Sequence, residues 1–422
     1  MGGQRVHRWR RMGPSRPDRG STGSLGGRAV NYDPYSDEAM YDPQGLYAQL
    51  RRHDPVHFMP AYNAWALASF DAVWQACSDT ASFSVRRGQT PNQVLLGEPA
   101  ANLTFPELDP PEHRLRRRVL APHFTREAAA ADIETIRAVT RDVLAPLLER
   151  GSFDAFDEYA SAVSARFAAM KAGVPVAEAD RIRRQLHTAI ERVPGQRSSS
   201  DQNQQAMGAV FGYLHELSQS CRRDRSLASG MLAHLLDARV DGTPLDDTQI
   251  AAELHTLLVT GSETIELAVA AAIFQLDAHP DQQAEVLADP TLGVWAFAEA
   301  VRHDHPTDML CRVVSRDVVV GEKQLKCGQG VLLLWASANR DEREFPAADR
   351  FDIHRRYERD LLFGHGQHKC IGEHTALHMG TVILEELFGS IAGYEIDHDA
   401  VRRRRGEFLK GFCAMPITIS RR

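Results

Sequence analysis

The chain has 422 residues, 43% of them hydrophobic and 25% charged, with a formal net charge of −7. This is ordinary globular composition with enough apolar material for a large core, and the acidic total excludes the basic surface of a nucleic-acid binder. Six scattered cysteines without a C-x-x-C pair exclude a zinc ribbon or redox dithiol and suit a reducing cytosol.

Residues 1–31, rich in Arg, Gly and Ser, are expected to be a disordered extension or the product of an overlong start assignment. A short helix is predicted over 38–53. A strand beginning at Pro55 then forms a hairpin with Tyr62–Ser69, where Ala64-Trp65-Ala66-Leu67 alternates. Residues 70–79 are helical, and Ser84–Thr104 is a polar loop of a length that commonly carries function. Helical periodicity marks 126–150, 157–172 and 177–192. The polar run Gln196–Asn203 precedes helices at 204–221, 226–239, 247–277 and 281–301. Strands at Val318–Val320 and Val331–Leu334 bracket a turn at Gly328–Gly330, and a helix over 373–392 precedes short terminal strands. The fold class is mainly α with small β-sheets, an α+β arrangement. No run approaches the roughly 18 apolar residues of a membrane span, so a soluble, cytoplasmic protein with no membrane partner is expected.

Chemistry concentrates in the run Phe363-Gly364-His365-Gly366-Gln367-His368-Lys369-Cys370-Ile371-Gly372. Three glycines let the backbone fold tightly over one sulfur, and amide groups aimed at that sulfur stabilise a thiolate. A lone cysteine is usually a small buried hydrophobe. A thiolate as the single protein ligand to haem iron instead favours O–O cleavage. The pattern F-G-x-G-x-H-x-C-x-G resembles the haem-binding loop of the cytochrome P450 superfamily at every defined position.

A second signal is Thr260-Gly261-Ser262-Glu263-Thr264 inside the apolar helix 247–277. Glycine, an acid and hydroxyls are poor local choices there, and such breaks of consistency tend to mark function. Gly261 permits close approach of a flat cofactor, and a threonine hydroxyl can bond the carbonyl one turn back and open the helix to water. The stretch resembles the A/G-G-x-E/D-T element of oxygen-activating P450s, with Thr260 where alanine is usual. The resemblance implies that Thr264 holds dioxygen and its water while Glu263 feeds protons inward. The hydroxyl of Thr260 is expected to bond its own backbone.

The resemblance further implies one triangular haem-thiolate domain over 32–422, with haem b (iron protoporphyrin IX) on Cys370 and flanked by Phe363 and Gly364. Asp109-Pro110-Pro111-Glu112-His113-Arg114-Leu115-Arg116-Arg117 matches D-P-P-E-H-x-x-x-R. His113 and Arg117 are thereby assigned to the haem propionates with Arg312 and His368. Glu299-x-x-Arg302 with Arg350 is implied to form a buried structural triad, followed by the matching segment Ala338–Asp341. Arg114, Arg116 and Arg118 are either a solvated face or a docking site for an acidic ferredoxin, with ferredoxin reductase upstream. His303-Asp304-His305 supplies too few ligands for a metal and is expected in the pocket wall, with 85–104, 196–206, 257–260, 303–310 and the turn Lys410–Phe412.

The implied activity is oxygen- and electron-dependent hydroxylation or epoxidation of a small organic substrate in bacterial secondary metabolism or catabolism. The alternatives are a peroxygenase or nitric-oxide-reductase-like enzyme and, in another class, a haem-binding sensor without turnover.

Overall fold

A computed structural model of the protein describes residues 30–99 and 104–422. The extension expected at 1–31 therefore lies, except for its last two residues, outside the described residues.

The central helix runs from Asp247 to Ala278. Its start is fixed by a reciprocal cap: Asp246 Oδ1 accepts from the Gln249 amide at 2.8 Å, and Gln249 Oε1 accepts from the Asp246 amide at 3.1 Å. Apolar residues on nearly every side of its second half explain why it is enclosed by helices Ala162–Ala172, Asp201–Arg223, Gly293–His303 and Glu373–Ser390. Contrary to the expectation that no run is long and apolar enough to cross a membrane, this helix alone among the described residues meets that test by length and composition, and 67% of its apolar window is buried inside the fold. The opening expected in mid-helix is absent. Thr260, Ser262 and Thr264 donate to the carbonyls of Thr256, Leu258 and Thr260 at 2.8, 2.6 and 2.9 Å, so the helix absorbs its own hydroxyls and stays continuous.

A five-stranded sheet lies at one side, in the order Val56–Met59, Ala64–Leu67, Gly330–Leu333, Leu310–Val314 and Phe83–Ser84. The predicted hairpin is its edge. Gly330–Leu333 runs parallel to Ala64–Leu67 and antiparallel to Leu310–Val314, with Val331 opposite Arg312. Alternation along a strand turns Leu310 and Arg312 to the same face. Val318–Val320 pairs with Lys323–Leu325 and not across the turn at 328–330, a correction to the expected bracket.

Helices are broken where prolines intervene. The segment expected over 38–53 is two helices, Asp37–Tyr41 and Gln44–His53, separated at Asp42-Pro43; that over 281–301 is Pro280–Ala288 and Gly293–His303, separated around Pro290. The loop expected at 84–104 contains a helical turn, Pro91–Leu95, capped reciprocally by Thr90 and Gln93.

Candidate active site

The cysteine run folds into a loop between the sheet and helix Glu373–Ser390. Gly364 and Gly366 take φ of +74° and +70°, a region costly for any other residue. At Gly366 a Cβ would also come within 2.4 Å of the Cys77 carbonyl oxygen. The Cys370 amide donates to the Phe363 carbonyl at 2.8 Å and closes the loop. Cys370 is exposed and lines a large cavity. Burial pushes the thiol pKa up, whereas the Gly372 amide bonded to it, Arg117 and Lys369 pull it down. Gly372 caps the following helix, so the sulfur also lies at that helix's positive end.

Beside the cysteine is a group of nitrogen-bearing side chains without carboxylate partners among the described residues. Arg117 and Arg312 line the cavity. Arg312 donates to the Cys311 carbonyl at 2.7 Å, and neither arginine has a carboxylate at ion-pair distance among the described residues. The His113 and His368 rings lie 4.3 Å apart. Gln367 Nε2 donates to His113 Nδ1 at 3.0 Å, leaving His113 Nε2 unpartnered, as is His368 Nδ1. Burial and Arg117 push the His113 pKa down to about 4; burial and Arg312 push that of His368 down to about 2. Both imidazoles are therefore neutral donors. Arg117, Arg312 and His368 on the cavity wall, with His113 behind His368, form a receptor for carboxylates.

The cavity has a volume of about 1090 Å³, above the roughly 300–1,000 Å³ of a typical site for one small molecule. Across it runs the central helix, whose Ala252, Thr256, Thr260, Thr264 and Ala268 line the wall at four-residue spacing. Gly261 lies among them, and a Cβ there would meet nothing within 4 Å. A flat ring carrying carboxylates and an iron fits this space: sulfur on one wall, unpartnered donors at one end, a small-residue wall elsewhere.

A family model described as "Cytochrome P450" matches residues 292–390. The chain is 30% identical over 354 residues to "Cyclomarin C epoxidase CymV" of Salinispora arenicola, covering 82% of this chain and 88% of that one. This chain belongs to the cytochrome P450 superfamily. It is 29% identical over 393 residues to "Putative cytochrome P450 123" of Mycobacterium tuberculosis, covering 92% and 97% of the two chains. The solved structure of CalO2 superposes on this P450 with a TM-score of 0.81 at 26% identity, over 93% of this chain and 99% of that one. The protein is thus a monooxygenase that uses haem, molecular oxygen, an organic substrate and electrons from a redox partner.

The structure of the P450 brings Cys370, Phe363, Gly364, His368, Arg117, Arg312, Gly261 and Thr264 to one cavity, with His113 behind His368. Glu263 is not on the cavity wall. It is fully enclosed behind the central helix, neither carboxylate oxygen has a protein partner, and burial raises its pKa well above the ordinary value despite Arg404.

The expected charge triad is differently composed. Arg302 donates to Glu299 through Nε and Nη2 at 2.8 and 2.7 Å, and through Nη1 to the Asn339 and Ala348 carbonyls at 2.9 Å each. The third member is Arg355, whose Nε reaches Glu299 Oε1 at 3.1 Å; Arg350 is exposed and contributes only its carbonyl. Arg116 likewise leaves the basic face to pair with buried Glu253 at 3.2 Å, so only Arg114 and Arg118 of that run are exposed.

Of residues 303–310, His305, Pro306, Thr307 and Leu310 reach the cavity. His303 and Asp304 turn away into a buried network with Arg340 and Gln275. The terminal wall is Glu407, Phe408 and Leu409, three residues earlier than expected: Lys410 pairs with Asp308 at 2.9 Å and Phe412 enters the core. Arg192 and Glu407, paired at 3.2 Å, and half-buried His255 are lining residues without a local sequence signal.

Proposed function

We propose that this P450 binds haem b through the Cys370 thiolate and inserts one oxygen atom into a C–H or C=C bond of a small organic substrate. Its electrons would come from a separate ferredoxin and ferredoxin reductase in a bacterial cytoplasm. The observation carrying this reading is that Cys370 and Thr264 line one cavity together with Arg117, Arg312 and His368, whose Nδ1 has no protein partner. The haem, when bound, supplies oxygen activation.

The chain's part is positioning, exclusion of water and proton supply. Arg117 and Arg312, with His113 and His368 as neutral donors, hold the propionates. The Gly372 amide and the helix end behind it stabilise the thiolate. Thr264 Oγ1, donating to the Thr260 carbonyl, keeps its lone pairs directed to the cavity and can accept from water there. Burial disfavours the Glu263 carboxylate and raises its pKa well above the ordinary value, and it is the acid nearest in sequence to that threonine. The curated relative named an epoxidase supports epoxidation as one outcome. An intact acid–alcohol pair favours dioxygen over peroxide as oxidant, and has no use in a sensor without turnover.

The test is NAD(P)H-coupled product formation with surrogate ferredoxin and reductase. Glu263→Gln and Thr264→Ala are expected to lower product formed per NAD(P)H consumed by about 10-fold or more. Unchanged coupling in both variants overturns the assignment.

A further inference from the structure

Behind the cavity wall, Glu263 and Glu266 lie one turn apart on the central helix. Both are enclosed, yet Glu263 Oε1 and Oε2, Glu266 Oε2 and Arg404 Nη1 have no protein partner. Glu266 Oε1 is 2.8 Å from His187 Nε2 and 3.7 Å from Arg404 Nη2. His187 is on helix Ala179–Ile190, with 21% of its side chain exposed, and stacks on Phe156 at 5.8 Å. Arg404 is on strand Arg402–Arg404, where Arg402 and Cys413 are its charged and titratable neighbours. One imidazole at the surface thus bonds directly to a carboxylate whose neighbours are a guanidinium and a second, unpartnered carboxyl. Buried polar atoms without protein partners are ordinarily satisfied by ordered water.

We propose that His187 and Glu266, held by Arg404, form the solvent end of the proton route that recharges Glu263. This rests on the reading of Glu263 as the proton donor. When Glu263 gives up its proton toward Thr264, Glu266 accepts a proton from His187 Nε2 as it passes one on to Glu263, directly or through water. The ring takes one proton from solvent in exchange, so one proton moves inward per cycle and no net charge is stored. His187 and Glu266 are positioning and relay residues; neither touches the cavity.

The test is infrared hydrogen–deuterium exchange on the holoenzyme. The carboxyl band of Glu263 is identified by its loss in Glu263→Gln, and its shift is timed after transfer to heavy water. Deuterium uptake is expected to slow about 10-fold or more in His187→Gln and Glu266→Gln, with haem content unchanged. His187→Gln keeps a side-chain amide beside Glu266 at a partly exposed site, so it reads out even where Glu266→Gln fails to fold. Unchanged uptake in His187→Gln, with coupling impaired in Glu263→Gln, overturns the relay and leaves the donor assignment standing. Unimpaired coupling in Glu263→Gln overturns both.

Discussion

The Cys370 amide and the Phe363 carbonyl, 2.8 Å apart, staple the two ends of an eight-residue loop and direct its sulfur into the cavity. The loop holds this shape because Gly364 and Gly366 supply left-handed backbone where the chain turns against Trp335 and Cys77.

Gly366→Ala is expected to displace the loop. A Cβ 2.4 Å from the Cys77 oxygen must move backbone, and φ of +70° adds about 1–2 kcal/mol for a non-glycine residue. The purified variant should carry less haem per chain and lose thiolate-type absorption on reduction. Haem content equal to the parent would show that the loop is softer than this packing implies.

Removing one of the two arginines proposed to hold the propionates should loosen haem without abolishing folding. Arg312→Leu should hasten transfer of haem to a competing globin by about 10-fold, the scale of one charge-assisted hydrogen bond of about 1.5–3 kcal/mol. Arg114→Leu, on the exposed face of the same helix as Arg117, should not.

The ion pair at Glu299 predicts an asymmetry between two nearby arginines. Arg355→Ala removes a donor from a carboxylate with 3% side-chain exposure and should lower stability by about 1–3 kcal/mol. Arg350→Ala keeps the carbonyl that Arg302 uses and should change stability by under about 0.5 kcal/mol. Thermal melts of the two variants decide this.

Glu253 predicts a pH dependence. Burial, opposed by Arg116, raises its pKa to about 7 in the folded protein against an unfolded value of about 4.3. The folded state thus binds the extra proton, and the associated stability is complete below the unfolded value and lost as pH rises through about 7. In Glu253→Gln that loss should be absent. The variant's stability should gain on the parent's between about pH 5 and pH 8, by an amount on the order of 2–3 kcal/mol, read from melts across that range. Parallel curves would contradict it.

Much of the scaffold is legible locally. The central helix was expected over 247–277 and runs Asp247–Ala278 because its cap and its apolar periodicity are both written in adjacent residues. The cysteine loop is legible because glycine, turn and sulfur lie within ten positions. Long-range pairing is not legible: Arg192 meets Glu407 across 215 residues, and Arg355 displaces Arg350 because the turn at Ala347 points Arg350 to solvent. The proline breaks and the Thr90–Gln93 cap were readable signals, hidden inside segments that otherwise look uniform. Glu263 illustrates the remaining limit: its type and position are evident, but only packing determines that it faces Arg404 and not the cavity.

The most direct test of the account is the absorption spectrum of the reduced, carbon-monoxide-treated protein beside that of Cys370→His. The parent should show the red-shifted Soret band of a thiolate-ligated haem, and the variant the shorter-wavelength band of an imidazole-ligated one. Identical spectra from the two proteins would contradict ligation by Cys370.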